Sequence, residues 1–160
     1  MIVELELPFL PPSENSAYVQ IGRMRKLSTE GKEFKRQVNE YCWDIYESEL
    51  DRLCEELGDT LWLLVDMDIY LPLDKVVYLG WTKKNKAGAR GAKEPYRNID
   101  GHNCVKLMAD ALSEILHIDD RRFQWGRSHK HVDGREPRVV LRMGPVDPQE
   151  FGVPLEFTTS

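Results

Sequence analysis

The chain has 160 residues, of which 41% are hydrophobic and 31% charged, with a formal net charge of −5. This is the size of one domain with one core, and it lacks the low hydrophobicity and high net charge of a disordered chain. The longest mainly apolar run, Leu61 to Val65, is far too short to span a bilayer, and the first residues lack the basic and apolar regions of a secretion signal. A cytoplasmic protein with no membrane partner is expected.

Ile2 to Leu7 (IVELEL) alternates apolar and acidic residues, the period of a half-buried strand, and Pro8, Pro11 and Pro12 stop it. Asn15 to Lys26 is polar with little periodicity and reads as a loop. Ser28 is placed to cap a helix in which Phe34, Val38, Tyr41 and Ile45 recur on one face; Leu50, Leu53 and Leu57 resume the pattern up to Gly58, with a break expected near Ser48. Thr60 to Leu71 reads as a long strand with Asp66 and Asp68 on one face. Two carboxylates so placed suit a metal, but the ordinary role of such acids is the wet side of an antiparallel strand. The run from Val76 to Leu79 leads into KKNKAGARGAKEP, which has no apolar spacing to bury and reads as a mobile basic loop.

A helix follows from Gly101. On a helical wheel with His102 at zero, Val105, Met108, Ala109, Leu112, Ile115 and Leu116 form a core stripe between about 220 and 340 degrees, while His102, Asn103, Lys106 and Asp110 share the face between about 0 and 100 degrees. Lys106 and Asp110, four apart, have the spacing of a surface ion pair. That pairing does not account for Asp100 and His102 at the helix start or for Asp119 and Asp120 just past its end. Phe123 to His131 and Arg138 to Met143 read as two strands joined by DGREP, where Asp133-Gly134 signals a hairpin. The expected architecture is α/β or α+β, a mixed sheet of about four to five strands with two main helices on it. Residues 1–144 form the domain and 145–160 a C-terminal arm.

The net charge hides an uneven distribution. Eight acids stand against Arg52 alone between Glu40 and Asp59. Lys83, Lys84, Lys86, Arg90, Lys93 and Arg97 face only Glu94, and Arg121 to Arg142, which includes Arg122, holds seven bases against two acids, so each stretch is net +5. Basic segments on both sides of residues 98–120 fit a phosphate-binding surface around a site; the alternative is solvated loops with surface arginines. Cys42, Cys54 and Cys104 have neither disulfide-framework nor C-x-x-C spacing and are expected as buried thiols. His129 and His131 share one strand face, but two donors without a third fit a basic strand face near DNA better than a metal centre. His117 is expected to be structural.

The run DGHNCVKLMADAL followed by HIDD resembles the D-x-D-N-x-x-K-x-x-x-D-A-L…DD signature of the RusA family of Holliday-junction resolvases. LPFLPPSENSAY and LSTEGKEFK are similar to that family's opening strand, P-P-S-x-N turn and first helix. The similarity covers Leu7 to Phe34 and Asp100 to Val140. It implies a homodimeric endonuclease that uses Mg²⁺ or Mn²⁺ to nick branched DNA such as a four-way junction, in a family often encoded by phages. Carried over, Asp100 and Asp120 match metal-ligand aspartates, Lys106 the essential lysine, and Asn103, Asp110, Asp119 and Asn15 supporting positions. His102 stands where the family has its second aspartate, so it is expected to ligate the metal or orient water, and to shift preference toward Mn²⁺. A second alignment pairs Asn98 and Asp100 with the two aspartates but needs a two-residue insertion. Two other readings stay open. One is a branched-DNA binder with a degenerate metal site, and the other is an interaction module whose acidic helix docks a basic partner.

Overall fold

The computed structural model describes residues 1–12, 14–76, 101–133 and 135–151. The expected mobile loop Lys83 to Arg97, the expected metal ligand Asp100 and the end of the expected arm, 152–160, lie outside the described residues.

Strand β1 (Val3–Leu7) buries Val3, Leu5 and Leu7 and exposes Glu4 and Glu6, as its alternation requires. A short helix α1 (Glu14–Ala17) and a hairpin of β2 (Tyr18–Ile21) and β3 (Met24–Leu27) replace the loop expected over 15–26. The hairpin is largely exposed, so it has no inward and outward faces to leave a period in the sequence. Gly22, at φ +62°, makes its turn in the left-handed region that glycine tolerates.

Helix α2 (Thr29–Leu57) begins where expected, with the Ser28 side chain accepting the Gly31 N–H at 3.1 Å. Gly58 ends it, at φ +48°, its N–H bonded to the Cys54 carbonyl. The break falls at Tyr46 (φ −122°, ψ 20°), two residues ahead of Ser48. There the Tyr46 hydroxyl accepts the Glu6 N–H at 3.0 Å, covering part of the free edge of β1. Phe34, Val38, Cys42, Leu50, Leu53 and Leu57 are buried. Ile45, expected inside, is 56% exposed, because it directly precedes the kink that resets the buried face.

Strand β4 (Trp62–Leu71) is an interior strand of the main sheet and is followed by the short helix α3 (Leu73–Val76). Helix α4 (Gly101–Leu116) precedes β5 (Phe123–Val132) and β6 (Arg138–Val146). The strand order is β1-β6-β4-β5, with β4 parallel to β5 and the other pairs antiparallel. The fold is thus α+β, a mixed four-stranded sheet with a small second sheet and two long helices. The expected β5–β6 hairpin does not form, since β4 lies between those strands. Asp133 turns the chain over the end of β4 instead: its N–H bonds the Leu71 carbonyl, and its carboxylate accepts the Arg135 N–H and the guanidinium of buried Arg138. Strand β6 runs to Val146, two residues into the stretch assigned to the arm, and a 3-10 turn, Pro148–Phe151, follows.

Leu63, Val65, Met67, Ile69 and Leu71 of β4 join the buried residues of α2 and α4 in one core, so both long helices cover one face of the sheet. The even-numbered residues of β4 point to the opposite face. Cys42 and Cys104 are buried thiols and Cys54 is half-buried; burial raises the Cys42 pKa to about 12, which makes it unreactive.

Candidate active site and the open face of the sheet

The stripe expected on α4 is the buried one. Met108, Ala109, Leu112, Ile115 and Leu116 are in the core together with Cys104, Leu107 and Ala111, and Val105 packs at its margin. Lys106 is exposed and Asp110 half-buried, on the other face. Tyr18 of β2, in the stretch read as loop, ties these two together. Its hydroxyl donates to Asp110 Oδ2 at 2.8 Å, while Lys106 Nζ lies 4.9 Å and Arg25 Cζ 4.8 Å from its ring centroid. Helix α1, which carries Asn15, packs on α4. The backbones of His102 and Asn103 are in the first turn of α4.

Asp119 and Asp120 lie at the far end of that helix. His117 ends α4 at φ +53°, and Ser113 Oγ donates to the Ile118 carbonyl at 2.6 Å. The His117 backbone thus makes the turn after α4, and its side chain is exposed. Asp119 caps the 3-10 turn Asp120–Arg122 by accepting the Arg121 N–H at 2.9 Å and also binds the Arg121 guanidinium. These bonds from Arg121 hold the Asp119 carboxyl well below its ordinary range. Asp120 is exposed. The Arg122 guanidinium donates to the carbonyls of Leu57, Gly58 and Leu61, where it satisfies the C-terminal end of α2.

The open face of the sheet holds a second cluster. Asp66 Oδ1 accepts the Arg127 N–H at 2.6 Å at a bulge where β5 has one residue more than β4. A Cβ on Gly126 would come within 2.2 Å of that oxygen, so only glycine leaves room for it. Asp68 is 3% exposed. Its Oδ1 meets His131 Nε2 at 2.7 Å, and its Oδ2 accepts from Arg142 at 2.7 Å, with Arg127 3.6 Å away. Asp68, expected on a wet surface, is instead a buried anion among cations. Ligand atoms of Asp68, His129 and His131 all lie within 4.8 Å of one another. The sequence marked both histidines and lacked the third donor, because only the β4–β5 register pairs Asp68 with His129.

Burial pushes the Asp68 carboxyl up, but hydrogen bonds from His131 and Arg142 and the nearby charge of Arg127 outweigh it, and the net shift is downward. Asp133, bonded to Arg135 and Arg138, is also held well below its ordinary value. A carboxyl depressed on folding contributes stability above its unfolded pKa and loses it as pH falls through the folded one. Urea midpoints should therefore hold level above about pH 5 and decline below about pH 4, and the decline should be shallower in Asp68→Asn. An equally steep decline in that variant would remove Asp68 as a contributor.

Acids, imidazole and a lysine set around one helix are the groups that metal-assisted phosphodiester hydrolysis uses. The model of the family of the endodeoxyribonuclease RusA matches residues 8–144, most of the chain. The protein belongs to the RusA endodeoxyribonuclease family. No curated protein matches it. Among the described residues, no helix is long and apolar enough to cross a membrane.

Proposed function

We propose that the protein is a Mg²⁺- or Mn²⁺-dependent endodeoxyribonuclease that acts in the cytoplasm as a homodimer and cuts four-way junctions or other branched DNA in recombination and repair. The family match over residues 8–144 carries this reading. Hydrolysis near pH 7 needs an activated water, a stabilised pentacovalent phosphorane and a neutralised leaving oxygen, all of which a cation held by carboxylates supplies. Asp100, His102 and Asp120 are the proposed ligands; two hard oxygens and one imidazole fit Mn²⁺ and, less well, Mg²⁺. Lys106 holds the scissile phosphate, with Tyr18 fixing both Lys106 and Asp110 beside it. Asn15, Asn103 and Asp119 support the site. Lys83, Lys84, Lys86, Arg90, Lys93, Arg97 and Arg121 carry the backbone contacts, while Arg122, bound to α2, braces the turn that bears Asp120.

The length of α4 bears on how this set assembles. Sixteen residues at about 1.5 Å each make a rod of roughly 24 Å. His102 is in its first turn, whereas Asp120 follows its last. That separation supports reading the site as shared between copies, with Asp120 of one protomer completing the Asp100–His102 site of its partner. A two-fold dimer then has two equivalent sites, as the symmetric cutting of a four-way junction needs.

His102 in place of a carboxylate also favours a second reading, a junction binder that has lost cutting. A metal titration decides between them. Nicking of a four-way junction should be faster in Mn²⁺ than in Mg²⁺, and affinity should fall steeply with salt. Equal or better cutting in Mg²⁺ would exclude His102 as a ligand, and tight binding without nicking in either metal would establish the binder.

A further inference from the structure

Lys106 and Asp110 belong to the helix side of the molecule, and the proposed nuclease chemistry uses nothing on the open face of the sheet. We propose that Asp68, His129 and His131 on that face form a separate site for a borderline divalent transition metal of the Zn²⁺ or Co²⁺ type.

The bulge is what creates the set. Before it, Leu63 pairs with Phe123 and Val65 with Trp125; after it, Asp68 pairs with His129 and Tyr70 with His131. The extra residue in β5 shifts the alternation by one, so the two histidines turn to the face of Asp68 instead of the helix face. Asp66, through the Arg127 N–H, and Gly126, by lacking a side chain, hold that bulge.

Three donors within 4.8 Å of one another are close to what an ion with bonds of about 2 Å requires, and exposed His129 closes the remainder by a side-chain rotation. Two imidazoles and a carboxylate suit Zn²⁺, Co²⁺ or Ni²⁺ rather than Mg²⁺, and they leave further positions for water. The surroundings orient these donors. Arg142 holds Asp68 Oδ2, so Oδ1 faces the histidines, and Tyr70 stacks on the His131 ring at 4.7 Å, with Arg138 over Tyr70 at 4.0 Å. Outer contacts of this kind fix metal ligands. The local charge also admits a cation. Arg142 is shared with Glu4 at 2.9 Å, and the Arg127 side chain is half exposed and only 3.6 Å from Asp68, free to swing toward water. On binding, the ion displaces the proton between Asp68 Oδ1 and His131 Nε2, which passes to solvent or to Nδ1 of the same ring.

The test uses the full chain with Asp100→Asn and His102→Ala, so that the proposed nuclease site does not compete. Zn²⁺ titration by calorimetry should give one equivalent bound, and Co²⁺ should give a visible absorption band of nitrogen-ligated metal. Adding His129→Ala or His131→Ala should weaken Zn²⁺ at least about tenfold and abolish the Co²⁺ band. His129 is exposed, so its removal leaves the fold intact, and an unchanged melting curve checks this. Zn²⁺ affinity that survives His129→Ala, or no Zn²⁺ binding by the background protein, would overturn the proposal without touching the nuclease reading.

Discussion

Asp100→Asn and Asp120→Asn are each expected to lower nicking of a four-way junction in Mn²⁺ by at least about 10²-fold, and co-refolding the two inactive proteins is expected to restore it in part. The loss follows from the proposed role: an asparagine keeps the size of the aspartate but removes the charge that holds a hard cation. The recovery follows from the proposed sharing of each site between two protomers. In a mixed dimer, the site formed by Asp100 of one protomer and Asp120 of its partner is intact on one side and doubly altered on the other. Such a dimer nicks one strand but fails at paired cutting. Were both acids to serve a site within a single chain, every site in the mixed dimer would carry one defect and mixing would restore nothing. Unchanged cutting by Asp100→Asn alone would remove the metal assignment altogether. Junction binding measured beside cutting separates loss of chemistry from loss of the complex.

What the sequence made legible was set by local rules. Ser28 and Gly58 mark the ends of α2, because capping uses groups within a few residues of one another. The apolar stripe of α4 was readable because one side of a helix packs and the other does not. Non-local pairing was not readable. Asp133-Gly134 carried a hairpin signal, yet β4 lies between β5 and β6; the turn residues act locally, while strand order is decided by which apolar edges meet in the core. The β2–β3 hairpin stayed hidden because Val19, Ile21 and Met24 are exposed, so no buried face imposed a period. The Asp68, His129 and His131 cluster combines both limits. The histidine spacing was visible, but the face they occupy depends on one extra residue at a bulge, and their third donor comes from a strand some sixty positions earlier. The kink at Tyr46 is of the same kind, since the hydroxyl that goes with it bonds a strand forty residues away.

Leu112→Ala should be among the most damaging single truncations of α4 for stability, costing about 3 kcal/mol, within the 2–5 kcal/mol range of buried leucines. The side chain is fully buried in the core that α4 shares with α2 and the sheet, so its removal leaves a cavity on both contacts. For a domain of this size each kcal/mol shifts the melting temperature by about 2–4 °C, which predicts a fall of roughly 6–12 °C. The same helix supplies the opposite case. Lys106 is exposed, with its ammonium over the Tyr18 ring, and Lys106→Ala should change stability by no more than about 0.5 kcal/mol while lowering nicking sharply. The two substitutions lie on different faces of one rod and should divide its roles, Leu112→Ala losing melting temperature with cutting at 25 °C preserved, and Lys106→Ala losing cutting with the melt preserved. If Leu112→Ala melted with the parent protein, the core contacts assigned to α4 would be wrong; if Lys106→Ala cut at the parent rate, the phosphate would have to be held by another group.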